Sequence, residues 1–242
     1  MFFLRSDKFR LTPRLLSRLL GATRLLAEHP RPLPRKLALL GPGADVFSAY
    51  PATWGLHVRE EDREAFGRLS RFASAGKGEQ RILLENRGIP TLGAVIGPAA
   101  LPPGSWLVRP NHHFAGTNMD LCDGGVLRAG FYASEIQPIK KEFRTLFVHG
   151  RPLFTMYKPP NPDPNADSDF ADTWSYTRLD RCGLNDQLAA FPAIRDASYC
   201  GVDIAWFGRR HQQPARVIEI NFAPGLGPRN LETVASALRG EG

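Results

Sequence analysis

Two short apolar segments near the C-terminal end constrain the fold of this chain more than any other feature. The segments are VDIAWF (202–207) and RVIEIN (216–221), and both are rich in Val, Ile and aromatic residues. The stretch between them, GRRHQQPA, is polar and contains a Gly and a Pro. Two strand-like runs separated by turn-forming residues predict an antiparallel β-hairpin.

Three oxygen-bearing side chains lie in this predicted hairpin. Glu219 and Asn221 are two residues apart and therefore project from the same face of one strand, and Asp203 can lie across from them on the other. Two carboxylates and an amide are ligands that suit Mg²⁺. The pattern fits a magnesium site, and it equally fits a hairpin with solvated acids and an Asn that caps the turn before Pro224.

Composition restricts the class of protein. The chain has 242 residues, 43% of them hydrophobic, which is enough for one core or two small lobes. No apolar run approaches the roughly 18 residues that span a bilayer, so we expect no integral membrane protein. The N-terminus MFFLRSDKFR is interrupted by charge, which argues against a secretory signal. Three scattered cysteines indicate reduced thiols in a cytoplasmic protein.

The net charge of +7 predicts a surface that attracts anions such as nucleotides, acidic peptides or nucleic acid. Leucines at helical spacing with arginines between them predict an amphipathic basic helix over about 13–28. A packed helix with a solvated basic face is the favoured interpretation, and a membrane-surface or RNA-binding helix is the alternative.

Other segments predict the remaining elements. Residues 59–86 are expected to be mainly helical, and Gly88-Ile89-Pro90 follows as a stop. WLVRP is predicted to be a strand, and KKEFRTLFVHGRPLFTMYK two strands joined at His149-Gly150. The stretch from 159 to 175 is Pro-rich and polar, which predicts a loop. LNDQLAAFPAIRDA and NLETVASAL are predicted to be helical.

These segments, in this order, resemble the ATP-grasp superfamily. The residues that carry the resemblance are Lys77 with the following helix and Gly-Ile-Pro, then RPNHHFAG, KKEFRTLFVHG and the closing GVDI...VIEINFAPG. It extends from about Lys77 to the C-terminus and is similar to carboxylate–amine ligases of the ribosomal-protein glutamate ligase-like type. It implies two α+β lobes that hold ATP between them, a small lobe over about 66–135 and a large lobe over about 136–242. Residues 1–65 would form a shortened N-terminal α/β lobe.

The resemblance implies roles for individual residues. Arg109 stands where the family usually has a phosphate-binding Lys, and the backbone at Glu135 and Ile136 would meet the adenine edge. The implied nucleotide-binding residues are Lys77, Arg109, His113, Gly116, Glu135, Ile136, Lys140, Lys158 and Asn221. The implied metal ligands are Asp203, Glu219 and Asn221. Arg144 and Arg109 would be catalytic, although Glu142 and Arg144 could instead form cross-strand salt bridges on a solvated sheet face.

The implied function is an ATP-dependent ligase that uses one or two Mg²⁺ ions, or Mn²⁺. A carboxylate would be activated as an acylphosphate and then attacked by an amine, giving an amide, ADP and phosphate. The expected partners are small-molecule or peptide carboxylates and amines, with a homodimer as an option and no membrane contact. The alternatives are a non-catalytic nucleotide- or RNA-binding module on the same scaffold and a small-molecule kinase.

Overall fold

The computed structural model describes residues 2–5, 23–26, 46–48, 75–111, 119–158, 175–177, 181–197, 199–208, 215–222 and 228–241, with positions 19, 68, 71, 72, 179, 224 and 226. The strands are β1 (Phe2–Arg5), β2 (Thr23–Leu26), β3 (Val46–Ser48), β4 (Val95–Ile96), β5 (Ala99–Leu101), β6 (Trp106–Pro110), β7 (Asp120–Cys122), β8 (Gly125–Leu127), β9 (Phe131–Glu135), β10 (Lys141–Val148), β11 (Arg151–Lys158), β12 (Ser175–Thr177), β13 (Tyr199–Trp206) and β14 (Arg216–Asn221). The helices are α1 (Lys77–Glu85), α2 (Asn185–Ala190), α3 (Pro192–Arg195) and α4 (Pro228–Arg239).

The first three strands form a parallel sheet in the order β2-β1-β3. Phe2 pairs with Thr23 on one side and with Val46 on the other. The predicted helix over 13–28 is therefore wrong at its C-terminal end, because backbone pairing with β1 overrides the helical spacing of the leucines. Leu19 is helical, and the other residues from 13 to 22 lie outside the described part of the chain.

A four-stranded antiparallel sheet follows, in the order β4-β9-β6-β7, and β5 pairs with β8 beside it. The predicted strand WLVRP is confirmed as β6. Of the segment 59–86, predicted to be mainly helical, positions 68, 71, 72 and Lys77–Glu85 are helical, whereas Ala75, Gly76 and Asn86 are not. Gly76 is extended, and a Cβ atom there would lie 2.2 Å from Cγ of Asn111. This close approach of the segment after β6 fixes the start of α1.

The large sheet has five antiparallel strands in the order β12-β11-β10-β13-β14. Both predicted hairpins are confirmed: β10 and β11 are joined at His149-Gly150, and β13 pairs with β14. One face packs on α2 and α3, with Leu188, Ile194 and Val202 fully buried. The predicted C-terminal helix is confirmed as α4, and it packs on part of the opposite face.

The segment after α1 joins the two antiparallel sheets. Thr91 makes a parallel bridge to Val217, whose N–H donates to the Pro90 carbonyl at 2.8 Å. The Leu92 N–H donates in turn to the Val217 carbonyl at 3.2 Å. The Gly-Ile-Pro-Thr segment thus continues the five-stranded sheet at its β14 edge. Within the described residues, no helix is long and apolar enough to cross a membrane.

Candidate functional site

One face of the five-stranded sheet is divided into an apolar half and a polar half. In the apolar half, Leu146 and Tyr199 pack against Val234 of α4. The polar half is formed by charged and amide side chains on the same face of the strands, and we call it the charged row. Its members are Glu142 and Arg144 on β10, Lys158 on β11, Asp203 on β13, and Glu219 and Asn221 on β14. The row confirms that Glu142 and Arg144 share a face, and that Asp203 lies directly across from Glu219.

The centre of the charged row is an ion pair between β10 and β13. Arg144 donates from Nε to Oδ1 of Asp203 at 2.6 Å and from a terminal nitrogen to Oδ2 at 2.7 Å. The side chains are 14% and 6% exposed. Burial alone would lower the pKa of Arg144, but the attraction and hydrogen bonds of Asp203 outweigh it and raise that pKa. The charges therefore stabilise each other in a site largely removed from water.

Gly201 makes room for this ion pair. It lies two residues before Asp203 on the same face of β13, and a Cβ atom there would lie 3.3 Å from Cδ of Arg144 and 3.0 Å from Cβ of Pro224. The stem of Arg144 therefore passes directly over the glycine. The sequence Gly-Val-Asp combines this space with the carboxylate that binds the guanidinium.

Glu219 reaches the charged row because β14 contains a bulge. In the pairing of β13 with β14, Asp203 lies opposite Glu219, and the next residue, Ile204, lies opposite Val217. Both strands are described in full, and Ile218 has no register partner on β13. Val217 and Ile220, three residues apart, can then both be buried in the core. Without the extra residue, Val217 and Glu219 would share a face.

Lys77, the first residue of α1, contacts Glu219 of β14. Its Nζ atom lies 3.5 Å from Oε2 of Glu219 and 3.2 Å from the Ile220 carbonyl oxygen. The contact with the carboxylate is longer than an ordinary hydrogen bond. Lys77 and Glu219 are 22% and 27% exposed, so solvent and ligands can reach them.

A second ion pair lies at the other end of the charged row, between Glu142 and Lys158 at 3.1 Å. Desolvation by burial raises the pKa of Glu142, and the nearby negative charge of Asp203 raises it further, while Lys158 opposes the shift. The alternative interpretation of Glu142 and Arg144 is correct in part, because both form cross-strand ion pairs. The pairs are, however, partly or largely buried.

Arg109 lies on β6, where it pairs with Tyr132 of β9. Its Nε atom is buried and has no hydrogen-bond partner among the described residues. The positive charge of Arg109 also contributes to lowering the pKa of Arg81, after the larger effect of burial. A buried donor next to a second cation suits an anion.

The remaining predicted nucleotide-binding residues lie at the connection from β9 to β10 or outside the described part of the chain. Glu135, Ile136 and Lys140 are exposed on or beside the connection from β9 to β10. The Ile136 N–H already donates to the Ser105 carbonyl at 3.0 Å, and the Lys140 N–H to that of Trp206 at 3.0 Å. His113 and Gly116 lie outside the described residues.

Arg81 is not among the residues predicted from the sequence, and it is only 4% exposed. Its Nε atom donates to the Ile218 carbonyl at 2.9 Å, and another nitrogen donates to the Gly93 carbonyl at 3.2 Å and to Oγ of Ser134. The signal was present: Lys77 and Arg81 are four residues apart, which places them on one face of a helix.

The donor set fits a magnesium ion. Glu219 and Asn221 are partly exposed on one face, and Asp203 lies across from Glu219. No group of three or more His, Cys, Asp or Glu residues in the described part of the chain could hold a metal by itself, so the set depends on the Asn221 amide. Hard oxygen donors without His or Cys suit Mg²⁺. Glu219 is the most available carboxylate, because both oxygens of Asp203 accept hydrogen bonds from Arg144.

We expect a large coupling energy between the buried side chains of Arg144 and Asp203. Asp203→Ala should lower the free energy of unfolding by about 3–5 kcal/mol, because the Arg144 guanidinium loses its main partner in a buried site. Adding Arg144→Met should recover part of this loss, as measured by urea denaturation in a double-mutant cycle. The more exposed Glu142–Lys158 pair is the control, with an expected coupling of about 1 kcal/mol or less. Additive effects of the Asp203 and Arg144 variants would contradict the assignment.

The raised pKa of Glu142 leads us to expect that the free energy of unfolding depends on pH. Because its folded-state pKa is raised, the folded protein binds the proton more tightly than the unfolded chain does. The free energy of unfolding should therefore fall as pH rises from the unfolded pKa of about 4.3 through the higher folded one. Glu142→Gln removes this fall, so the stability of the variant relative to wild type should increase with pH. Urea denaturation in metal-free buffer tests this, and a constant or decreasing difference would contradict it.

Comparisons with known proteins identify the fold. No protein-family model matches the sequence, and no curated protein is significantly similar to it. Solved structures are similar over nearly their whole length. The ATP-grasp ligase PsnB, complexed with a minimal precursor, has a TM-score of 0.66 and 13% identity, covering 99% of this chain and 98% of PsnB.

Two further solved structures show the same similarity. The RimK domain protein ATP-grasp from Sphaerobacter thermophilus has a TM-score of 0.58 and 13% identity, covering 99% of this chain and 98% of that one. The D-alanine–D-alanine ligase from Bacillus anthracis has a TM-score of 0.56 and 14% identity, covering 98% and 91%. At such low identity the likeness establishes the fold alone. The chain has the ATP-grasp fold, as the resemblance in its sequence implied.

Proposed function

We propose that this protein is an ATP- and Mg²⁺-dependent ligase that joins a carboxylate to an amine. The observation that carries the proposal is the charged row, in which each carboxylate faces a cation from a neighbouring element: Asp203 faces Arg144, and Glu219 faces Lys77. Acids that bind a metal and cations that bind phosphate are the two requirements of phosphoryl transfer. Similar solved structures are ligases by name, which supports the proposal.

The proposed nucleotide site lies between the small lobe (66–135) and the large lobe (136–242). Lys77 and Arg109 would bind phosphate oxygens from the small lobe. The buried Nε atom of Arg109 has no hydrogen-bond partner among the described residues, which supports this role. Glu219 and Asn221 would hold Mg²⁺ from the large lobe, with Asp203 next to them. PsnB has been solved with Mg and ADP, which supports the same ligands for this fold.

Lys77 would change its ionic partner when Mg²⁺ and ATP bind. Lys77 lies 3.5 Å from Glu219, close enough to neutralise the carboxylate and too far for a strong hydrogen bond. Glu219 and Asn221 would hold a Mg²⁺ ion whose positive charge would replace that of Lys77 at the carboxylate. Lys77 would in that case be able to pair with the phosphate oxygens instead of Glu219. The charges of Lys77 and Glu219 would therefore be paired both with and without the ligands.

Arg144 would act on the reacting groups. A carboxylate oxygen of the acid attacks the γ-phosphorus, an O–P bond forms, and the bond from that phosphorus to the ADP oxygen breaks. The amine nitrogen then attacks the acyl carbon, the C–O bond to phosphate breaks, and the amine proton is lost to solvent. Arg144, held by Asp203 at 2.6 and 2.7 Å, would place its positive charge beside the developing oxyanion.

The substrates are proposed by class. PsnB is described in complex with a precursor peptide and AMPPNP. A peptide carboxylate is therefore a suitable first acid to test, together with free amino acids. The net charge of +7 favours an acidic peptide over a basic one.

Isothermal titration of ADP with and without Mg²⁺ tests the nucleotide site. We expect wild type to bind ADP more tightly with Mg²⁺, and Glu219→Gln with Asn221→Ala to lose about tenfold or more of that gain, because the site loses the negative charge of Glu219 and the amide ligand of Asn221. Glu232→Gln, an exposed position on α4, is the matched control and should behave as wild type. If wild type binds no nucleotide under any metal condition, the proposal fails.

Product analysis separates a ligase from its alternatives. Mixtures of acidic peptides or amino acids with amines should release ADP and phosphate and form an amide that mass spectrometry detects. A phosphorylated product that accumulates without amide formation would indicate a kinase instead. Nucleotide binding with no turnover of any acid would indicate a binding module.

A further inference from the structure

The bulge in β14 determines where Glu219 points. β14 is the edge strand of the five-stranded sheet, and Ile218 is the residue without a register partner on β13. A one-residue slip in such a strand would exchange the two faces. Val217 and Glu219 would then share a face, and either the core would lose Val217, which is fully buried, or it would gain a carboxylate.

The carbonyl oxygen of Ile218, the bulged residue, accepts a hydrogen bond from a side chain of α1. Arg81, one turn after Lys77 on α1, donates from Nε to the Ile218 carbonyl oxygen at 2.9 Å. Lys77 donates to the Ile220 carbonyl at 3.2 Å. Two residues of one helix therefore bind the backbone on either side of Glu219.

The guanidinium of Arg81 is itself held from several directions. It donates to the Gly93 carbonyl at 3.2 Å and to Oγ of Ser134, and it lies 5.3 Å from the centre of the Tyr132 ring. Contacts in these directions fix the direction of Nε toward Ile218.

We propose that Arg81 is a positioning residue for the metal site: its guanidinium holds the β14 bulge that places Glu219 opposite Asp203. Burying the guanidinium is costly, as the lowering of its pKa by desolvation indicates. An apolar residue would fill the space at lower cost if stability were the only requirement. The role in metal binding rests on the proposed function, whereas the role in holding the bulge does not.

Three variants separate positioning from general stability. Arg81→Met removes the donor to Ile218 and fills much of the same volume. Arg81→Lys keeps the charge but not the planar fork of donors. Ser134→Ala is the matched control: it removes another acceptor of the same guanidinium and leaves the bond to Ile218 in place.

Hydrogen exchange of the β14 amides reads the bulge without any ligand. In Arg81→Met we expect the amides of Val217–Asn221 to exchange about tenfold faster or more, because the edge strand loses a contact that fixes its register. Arg81→Lys should show a smaller change in the same direction, and it remains informative if the Met variant does not fold. Ser134→Ala should leave these amides close to wild type.

Titration with Mg²⁺ and ADP reads the metal site. Arg81→Met should lose about tenfold in Mg²⁺-dependent ADP affinity with little change in binding of ADP alone, and Ser134→Ala should lose neither. The inference is overturned if both Arg81 variants keep wild-type exchange and affinity, or if Ser134→Ala loses as much as Arg81→Met. If wild type shows no Mg²⁺-dependent binding, the proposed function fails, and the exchange data still decide whether Arg81 holds the bulge.

Discussion

The structure of the site depends on the paired hydrogen bonds between Arg144 and Asp203. Two charges that lie mostly out of water are stable only together, so the position of each fixes the other. Arg144 lies on β10, the middle strand of the sheet, and Asp203 lies opposite it on the neighbouring strand β13. The ion pair therefore places the charged row at the centre of the sheet. Gly201 provides the space in which the arginine stem lies. The remaining charges, Glu219 with Lys77 and Glu142 with Lys158, extend this row to either side.

Two kinds of contact join the five-stranded sheet to the elements that precede it. The backbone of Pro90 and Leu92 pairs with Val217, and the side chains of Lys77 and Arg81 bind the carbonyls around Glu219. All of these contacts end on β14, the edge strand. The strand that bears two of the three proposed metal ligands is thus also the strand that α1 and the segment after it contact. Binding in the proposed site would act directly on that junction.

Much of this arrangement follows from local sequence. Strand-forming runs separated by turn residues correctly predicted the hairpins. Period-2 alternation correctly predicted the shared face of Glu142 and Arg144, because Phe143 between them faces the core. Alternation cannot predict the bulge at Ile218, since the run Val217-Ile218-Glu219-Ile220 is compatible with more than one register. The helix predicted over 13–28 fails at Thr23–Leu26 for a similar reason: parallel pairing with β1 is non-local. Ion-pair partners such as Asp203 for Arg144 also depend on strand order, which the sequence does not contain.

A crystal structure with Mg²⁺ and a non-hydrolysable ATP analogue tests the central claim most directly, because it shows where each charge goes when ligands arrive. The account predicts the analogue between the two antiparallel sheets, Mg²⁺ at about 2.0–2.1 Å from oxygens of Glu219 and Asn221, and Nζ of Lys77 turned from Glu219 to a phosphate oxygen. An analogue bound elsewhere, or bound here without metal while Lys77 stays on Glu219, would contradict it.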